Sequence, residues 1–305
     1  MKTPEIALMI FLGLVMLVVL LIKYVDRLPL PIRGKHHARK AMIEDVLKQL
    51  YHVEYSGRRA TLNALAGALK ISHKKLVSLI ELMIVKNLVT TSQNTLHLTT
   101  LGRDYALKII RVHRLWEKYL SEKTGIDKSE WHDHAEQMEH RLSSEEVKQL
   151  YLDLGSPRFD PHGDPIPTEK GEIIAPKWKV LSGLQPGIMA RIVHIEDEPE
   201  VIYRQIIDQK LHIGSQLKII ASDEQQTTFF SEGLEYTLSA VIASNISTLE
   251  LSEMEIFEEQ RVRLSNLQDG EEALILGISS ECRGIARRRL MDLGFIKGSH
   301  IKTEL

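Results

Sequence analysis

The sequence predicts a mainly α-helical protein with small β regions, arranged as several domains along one chain. Three observations predict this class: an uncharged apolar run near the N-terminus, three helical segments followed by a hairpin, and an internal repeat in the last third. A chain of 305 residues exceeds one compact core and suits about two or three domains. With 43% hydrophobic and 26% charged residues, disorder, collagen and a polytopic membrane protein are excluded. The single cysteine, Cys282, excludes a disulfide framework and suits a reducing compartment.

The apolar run at residues 6–22 carries no charged or polar side chain and predicts a transmembrane helix within an anchor over residues 1–25. As a helix its length is roughly 25 Å, and Lys23 and Tyr24 extend it towards the headgroups. The alternative, a secretory signal, would have a shorter apolar region and a small-residue cleavage site. Six Lys or Arg against one Asp between residues 23 and 40 orient the rest towards the cytoplasm. We therefore expect a single-pass protein of the inner (cytoplasmic) membrane with a cytoplasmic C-terminal part.

Residues 26–40 predict a basic linker, because Pro29, Pro31 and Gly34 interrupt any regular element. From about residue 41 the pattern becomes helical, with apolar side chains that recur at the 3.6-residue period of a helix. These apolar positions are Ile43, Val46, Leu47, Leu50 and Val53. They share one face of a helix, so we expect this face to pack into a core.

Two further helices and a hairpin follow, and together they predict a winged helix-turn-helix over residues 41–107. Residues 61–69 form the first of these helices, and Ser72 has the side chain of an N-cap for the second. The alternating stretch LVTTSQNTLHLTT then predicts two strands joined by a turn at Gln93 and Asn94.

Basic residues are concentrated in residues 57–118, which hold eleven Lys or Arg against three acids. This segment has a net charge of +8, and since the whole chain is −2, the remainder sums to −10. A basic winged helix in an otherwise acidic chain predicts phosphate contacts with double-stranded DNA. The alternative is a solvated lysine-rich surface without a nucleic-acid partner.

The third helix is unusually apolar for a helix that reads DNA bases. Its expected buried face consists of Leu76, Leu79, Ile80 and Met83. Val77 and Ile84 then fall on the opposite face, where a recognition helix usually presents polar groups to base edges. The candidate DNA contacts that remain are Ser72, His73, Lys74, Lys75 and Ser78. We therefore expect either low sequence specificity or a face that contacts protein instead.

Histidines and carboxylates cluster on two further predicted helices, at about residues 101–122 and 128–142. On the first, His113 and Glu117 are one helical turn apart and share a face. The second helix carries one broad stripe, made of His132, Glu136, Glu139 and His140. Two facing helices of this kind build a metal site from oxygen and nitrogen ligands, which favours Mn²⁺ or Fe²⁺ over a Cys-rich zinc site. The alternative is a solvated charged face, and His134 lies off the stripe.

The last third contains an internal repeat behind a Pro- and Gly-rich connector at residues 155–167. LSGLQPGIMARI (181–192) is similar to LSNLQDGEEALI (264–275), and LHIGSQLKI (211–219) is similar to FIKGSHIKT (295–303). Both copies read as strand, helix, glycine turn and strand. The first copy continues beyond Ile219 as far as Leu251, whereas the second ends at Leu305, so we expect the second copy to be incomplete. The alternative is a naturally shortened repeat with an unpaired strand edge.

Five segments carry a resemblance to a known family. They are IEDVLKQLY (43–51), LVTTSQNTLHLTTLGRDYA (88–106), HRLWEKYL (113–120), WHDHAEQMEHRLS (131–143) and DPHGDPIP (160–167). Together they resemble the DtxR/MntR family of metal-dependent transcriptional repressors. The resemblance implies a metal-binding and dimerisation domain over residues 108–178, and a homodimer that reads a pseudo-palindromic operator.

The resemblance also implies two sets of metal ligands. One site in that family takes a residue from the first helix and three from a later helix. The matching positions here are Asp45, Glu136, Glu139 and His140. A second site takes a His, a Glu one helical turn on and a further His, which match His113, Glu117 and His132. Asp45 with Glu136 resembles the manganese type of first site, although Lys48 stands where that type has another Glu.

The two repeats resemble FeoA-type domains, which are small SH3-like β-barrels. CRGIARRRLMDLGFIKGSHIK (282–302) carries this likeness best, and residues 181–251 carry it more weakly. The resemblance implies FeoA-like domains at residues 179–253 and 262–305. Some relatives resemble this whole module fused behind a metal-transporter permease.

These observations lead to the hypothesis of a membrane-tethered, homodimeric repressor that binds DNA when loaded with Mn²⁺ or Fe²⁺ and controls metal uptake genes. The alternative is a cytoplasmic metal-sensing module that regulates a membrane transporter through protein contacts. An enzyme is not expected, because the sequence has no P-loop, no GxSxG and no HExxH motif.

Overall fold

The structure is a computed structural model that describes residues 31–93, 95–174, 176–252, 261–279 and 282–304, together with Met16, Glu255 and Phe257. The chain divides into two compact units, Met1–Ala106 and Leu107–Leu305. The predicted transmembrane segment at residues 6–22 lies, apart from Met16, outside the described residues. Among the residues that are described, no helix combines the length and the apolar character needed to cross a membrane.

The first unit has the order helix, helix, helix, hairpin that the sequence predicts. Its elements are α1 (Pro31–Tyr55), α2 (Leu62–Ala68), α3 (His73–Val85), β1 (Val89–Ser92) and β2 (Thr95–Leu98). The predicted linker is wrong from Pro31 onwards, because residues 31–40 are the start of α1. A proline in the first turn of a helix costs little, since its fixed φ suits the helix and its missing N–H has no partner there.

Local capping explains where the short helices of the first unit begin. The Thr61 hydroxyl accepts the N–H of Ala64 at the start of α2, and the Ser72 hydroxyl accepts the N–H of Lys75 at the start of α3. The face of α3 that the sequence predicts to be buried is buried, and it consists of Leu76, Leu79, Ile80 and Met83. The two strands pair in antiparallel register from Val89 opposite Leu98 to Ser92 opposite Thr95.

Three helices follow the hairpin: α4 (Thr100–Lys123), α5 (Trp131–Glu139) and α6 (Ser144–Asp153). The predicted helix over 128–142 is shorter than expected, because residues 128–130 form a single 3₁₀ turn and α5 ends at Glu139. A capping box explains the early end. The Ser143 hydroxyl accepts the N–H of Glu146, and the Glu146 carboxylate accepts the N–H of Ser143, so a new helix starts there.

A six-stranded antiparallel sheet with the order β3-β8-β4-β5-β6-β7 follows. Its strands are β3 (Lys179–Val180), β4 (Met189–Ile195), β5 (Gln216–Ser222), β6 (Gln226–Ser231), β7 (Leu234–Ser239) and β8 (Ile246–Glu250). Helices α7 (Glu200–Asp208) and α8 (Ala240–Ala243) pack with it around one apolar core. The chain is therefore a mixed α and β protein, with more sheet than the predicted mainly α class.

The second repeat is built from β9 (Glu272–Leu274), α9 (Gly284–Asp292) and β10 (His300–Lys302). Its three elements occupy the positions that correspond, in the sequence alignment of the two copies, to β4, α7 and β5 of the first repeat. The repeated order of strand, helix and strand, predicted from the sequence, is confirmed. Within the described part of the chain β9 and β10 pair only with each other.

Candidate metal centre

Helix α4 presents a buried His and Glu one turn apart. His113 Nε2 lies 3.2 Å from Glu117 Oε1, and both side chains are buried. The helix is amphipathic, and Val112 and Leu115 anchor it in a small apolar core shared with α6. This anchoring turns the face of α4 that carries His113 and Glu117 towards α5 and the connector.

Helix α5 brings a second imidazole to the same carboxylate. His132 Nδ1 lies 3.7 Å from Glu117 Oε1, and the rings of His113 and His132 meet edge to face at 5.0 Å. One ligand atom from each of His113, Glu117 and His132 lies within 4.8 Å of the others. These are the three residues that the family resemblance implies for the second site.

Two further residues, which no short-range sequence pattern indicates, join this group. His162 from the connector places Nε2 3.9 Å from Glu117 Oε1, and Asp197 places Oδ2 3.5 Å from His132 Nδ1. Ligand atoms of Glu117, His162 and Asp197 also lie within 4.8 Å of one another. We call His113, Glu117, His132, His162 and Asp197 the Glu117 centre.

The connector is held against β4, and this contact positions His162. The Asp160 carboxylate accepts the backbone N–H of His162 at 2.8 Å, and the carbonyl of His162 accepts the N–H of Ile195 at 3.0 Å. Gly163 has φ +93°, and a Cβ at that residue would lie 2.1 Å from the carbonyl oxygen of Val193. A glycine is therefore required for the connector to approach β4 this closely.

An ion-pair network beside the Glu117 centre ties α4 to the connector and to β4. The Arg114 guanidinium donates to Asp164 Oδ1 at 2.8 Å, and His194 Nε2 lies 3.4 Å from Asp164 Oδ2. Burial raises the pKa of Asp160 well above its ordinary value, with Asp164 and Glu117 adding to the effect. Burial also opposes ionisation of Asp164, but the charge of Arg114 holds the pKa of that carboxyl below its usual range.

The charges within the Glu117 centre indicate a cation site. Burial opposes ionisation of Glu117. The positive charge of His113 and the contacts with the other imidazoles nevertheless hold the pKa of Glu117 well below the usual range. The carboxylates of Asp197, Glu117 and Glu136 raise the pKa of His132 to about 12. His132 Nδ1 is nevertheless buried and makes no hydrogen bond within the described part of the chain. Buried carboxylates, several imidazoles and a ring nitrogen that faces two carboxylates without a hydrogen bond fit a divalent cation, which would bind as protons leave.

The remaining predicted ligands lie on both sides of this centre. Glu139 is buried, and its Oε2 lies 2.6 Å from His113 Nδ1. His140, at the end of α5, places Nε2 3.7 Å from Glu139 Oε1. Glu136 is exposed and lies 3.4 Å from His132 Nε2, so it is adjacent to the Glu117 centre. Asp45 lies half-buried on α1 in the first unit, and its role as a ligand stays a prediction.

The predicted DNA contacts are all on the surface of α3 and its N-terminal end. Ser72, His73, Lys74, Lys75 and Ser78 are exposed. Val77 and Ile84 are also exposed, at 39% and 43%, as expected for the side opposite the buried face. The exposed surface of α3 therefore combines basic and polar side chains with apolar ones. His134, expected off the metal stripe, is exposed.

Comparisons with known families agree with this geometry. Residues 99–168 match the iron dependent repressor, metal binding and dimerisation domain, which covers α4, α5, α6 and the connector. Residues 262–304 match the FeoA domain.

Individual proteins are similar over parts of the chain. The diphtheria toxin repressor of Corynebacterium diphtheriae is 27% identical over 191 residues, which cover 59% of this chain and 84% of that protein. A "Probable metal transport system membrane protein" of Chlamydia trachomatis is 42% identical over 86 residues, 28% of this chain. The chain spans only 19% of the length of that relative.

A solved structure, a manganese-dependent transcriptional repressor in complex with manganese, superposes with a TM-score of 0.61 and 26% identity. The match covers 68% of this chain and 99% of that one. Repressors of this kind are non-enzymatic regulators, and manganese or iron is named for them, as the oxygen and nitrogen ligands predict. The chain is therefore similar to metal-dependent repressors of the DtxR/MntR kind, with a match to their metal binding and dimerisation domain at residues 99–168 and to the FeoA domain at residues 262–304.

Proposed function

We propose that this repressor uses Mn²⁺ or Fe²⁺ at the Glu117 centre and at a first site to control its binding to the operators of metal uptake genes. The observation that carries the proposal is that α4, α5, the connector and the turn after β4 each bring a possible ligand to Glu117. Three imidazoles and two carboxylates are suitable ligands for first-row divalent metals.

A bound divalent cation supplies the positive charge and directed coordination bonds that would hold these five side chains together. The chain's own residues do the rest. Glu117 offers the central carboxylate, Asp160 fixes the backbone at His162, and Arg114 neutralises Asp164 so that the connector stays docked. Because the ligands come from separate segments, metal binding favours the conformation in which those segments are in contact.

The first site, with Asp45, Glu136, Glu139 and His140 as its ligands, is the second part of the proposal. Asp45 lies on α1, whereas the other three lie on or next to α5. A metal shared between them would stabilise one spacing of the two α3 helices of a homodimer. Each α3 would then place Ser72, His73, Lys74, Lys75 and Ser78 in successive major grooves of a pseudo-palindrome.

Membrane tethering completes the proposal. The apolar residues 6–22 and the basic residues after them would anchor the dimer in the inner (cytoplasmic) membrane, with everything after residue 25 in the cytoplasm. Such a repressor would bind operators only on DNA that reaches the membrane surface.

The test is a gel-shift titration of the full chain, in detergent, with Mn²⁺ and DNA from its own upstream region. His113→Ala and Glu117→Gln should each weaken metal-dependent DNA binding by roughly 10- to 100-fold, because the first removes a ligand and the second removes the central negative charge. His134→Ala, which changes an exposed imidazole on the same α5, is the matched control and should leave the titration unchanged. An unaltered metal response in His113→Ala would contradict the assignment of the Glu117 centre.

A second function is favoured by the exposed apolar side chains of α3. Val77, Ile84 and Val85 are 39%, 43% and 83% exposed, and a metal transport membrane protein is among the relatives. In this alternative the chain senses metal and regulates a membrane transporter through protein contacts on that face. The same gel shift separates the two functions, since the absence of DNA binding at low salt would favour the transporter.

A further inference from the structure

The C-terminal end of α4 is contacted by the second repeat. Arg283 Nη1 donates to Ser121 Oγ at 3.3 Å, and Ser121 is buried. Ser121 lies one turn beyond Glu117, as Glu117 lies one turn beyond His113, so the three residues share one face of α4. The contact therefore lies at the end of the same face that carries the metal ligands.

The first residue of α9 approaches the backbone of α4 closely. Gly284 has φ +54°, and a Cβ at that residue would lie 3.1 Å from the carbonyl oxygen of Glu122 and 3.5 Å from that of Thr124. The positively polarised N-terminal end of α9 thus meets the negatively polarised C-terminal end of α4, which is a favourable arrangement of helix dipoles. We call the contact of Arg283 and Gly284 with Ser121, Glu122 and Thr124 the α9 dock.

The second repeat holds its side of the α9 dock rigidly. Arg287 Nη1 donates to the carbonyl oxygens of Ile278 and Ser279, both at 3.2 Å. The Ser279 hydroxyl in turn contacts His212 Nε2 of the first repeat at 2.9 Å. The segment before α9 is therefore tied to both repeats, and a displacement of α9 would be transmitted to α4.

We infer that Arg283 and Gly284 are positioning residues for the Glu117 centre, and this inference rests on the proposed metal-binding function of that centre. His113 and Glu117 belong to α4, whereas His162 and Asp197 belong to the connector and to the first repeat. A metal ion demands ligand positions within about 0.2 Å. The α9 dock fixes where the C-terminal half of α4 lies relative to the other ligands, so it sets the metal affinity of the centre. By linkage, metal binding stabilises the α9 dock to the same extent.

The test measures Mn²⁺ binding by titration calorimetry to the full chain in detergent, in an Asp45→Ala background that removes the other expected site. Gly284→Ala should weaken Mn²⁺ binding by about 3- to 30-fold, because the new Cβ separates α9 from α4. Gly298→Ala is the matched control. Gly298 also has a positive φ, of +91°, in the same repeat, but a Cβ there would meet open space among the described residues. Equal Mn²⁺ affinity in the two variants would overturn the inference.

A double-mutant cycle covers the case in which Gly284→Ala does not fold, as judged by circular dichroism. Arg283→Ala and Ser121→Ala should each weaken Mn²⁺ binding, their effects should not add, and Arg283→Lys should restore part of the affinity. Additive effects, or none, would overturn the inference. His113→Ala in the same background tests the proposed function separately. If it leaves Mn²⁺ binding intact, the metal assignment fails, whatever the result for the α9 dock.

Discussion

The two repeats have the same apolar positions but bury them to different extents. Leu181 of the first repeat is fully buried, whereas its counterpart in the second, Leu264, is 49% exposed. Ile206 on α7 is also fully buried, while its counterpart on α9, Leu290, is only partly buried. The two local sequence patterns are alike, so the difference arises outside them.

The difference comes from strands β6, β7 and β8, which have no counterpart among the described residues of the second repeat. In the first repeat β4 pairs with β5 and β8, and β5 pairs with β4 and β6. Phe229, Leu238 and Ile246 of the additional strands fill the core. The comparison teaches that a repeat pattern specifies strands, helix and turns, whereas burial requires additional strands.

The largest expected effect comes from truncating a core side chain. Leu181→Ala should destabilise the first repeat by about 2 to 5 kcal/mol, because it removes a fully buried side chain and leaves a cavity. Leu264→Ala, at the equivalent position, should cost less than about 1 kcal/mol, because its side chain is half-exposed. Native-state hydrogen exchange of β4 and β9 measures the two losses separately. Equal losses would mean that the second repeat has a core of its own, and the comparison would be wrong.

The next effect tests whether the second repeat depends on the first. Arg263 Nε, at the start of the second repeat, donates to the buried carboxylate of Glu232 at 2.5 Å. Arg263→Ala should lower the free energy that protects the amides of β9 from hydrogen exchange by about 1 to 3 kcal/mol. The reason is that it leaves the Glu232 carboxylate without its guanidinium partner. Arg288→Ala, which changes an exposed arginine on α9 of the same repeat, is the control. No change in β9 exchange would show that the second repeat is ordered without this link.

The ion pair of Arg263 with Glu232 also makes a smaller contribution to the stability of the fold, and this contribution depends on pH. Burial opposes ionisation of Glu232, but Arg263 and His212 hold its pKa below the ordinary value. A carboxyl with a lowered folded pKa stabilises the protein above its unfolded pKa of about 4.3. This stabilisation is lost as the pH falls below that value. Thermal unfolding at pH 3.5 and 7 should therefore show a smaller difference in Glu232→Gln than in the unaltered chain; an identical difference would contradict the assignment.

The smallest expected difference between the repeats is at their glycine turns, where the same substitution should cost both repeats the same stability. Gly187 and Gly270 are equivalent positions with φ +87° and +82°, and a Cβ at either would meet open space among the described residues. Alanine at each should cost about 1 kcal/mol, because the penalty arises from the local backbone and not from packing. Exchange rates of the adjoining strands measure both. A cost confined to Gly187→Ala would show that the turn also depends on the core.

Local signals were sufficient for much of the fold. Ser72 as an N-cap, the buried face of α3 and the spacing of His113 and Glu117 follow from short-range patterns, and the structure has all three. The end of α5 was mispredicted because the capping box of Ser143 and Glu146 outweighs the continuing apolar pattern. The start of α1 was mispredicted because a proline at residue 31 suits a first turn.

The Glu117 centre could be predicted only in part. His113, Glu117 and His132 lie close together in the sequence, on the consecutive helices α4 and α5, so spacing and resemblance identify them. His162 and Asp197 come from a connector and from the turn after β4, and only long-range pairing brings them to Glu117. The DPHGDP segment was visible in the sequence as part of the family resemblance, but nothing local assigns its His a partner.

Gly163 limits which amino-acid substitutions the Glu117 centre tolerates. The ligand positions hold side chains that can be exchanged among oxygen and nitrogen donors with a change in metal preference. Residue 163 has no such freedom, because its backbone lies against the carbonyl of Val193. In a library randomised at residues 162 and 163 and selected for metal binding, several donors would be recovered at 162 but glycine alone at 163. The residue without a side chain would then be the most restricted position of the site.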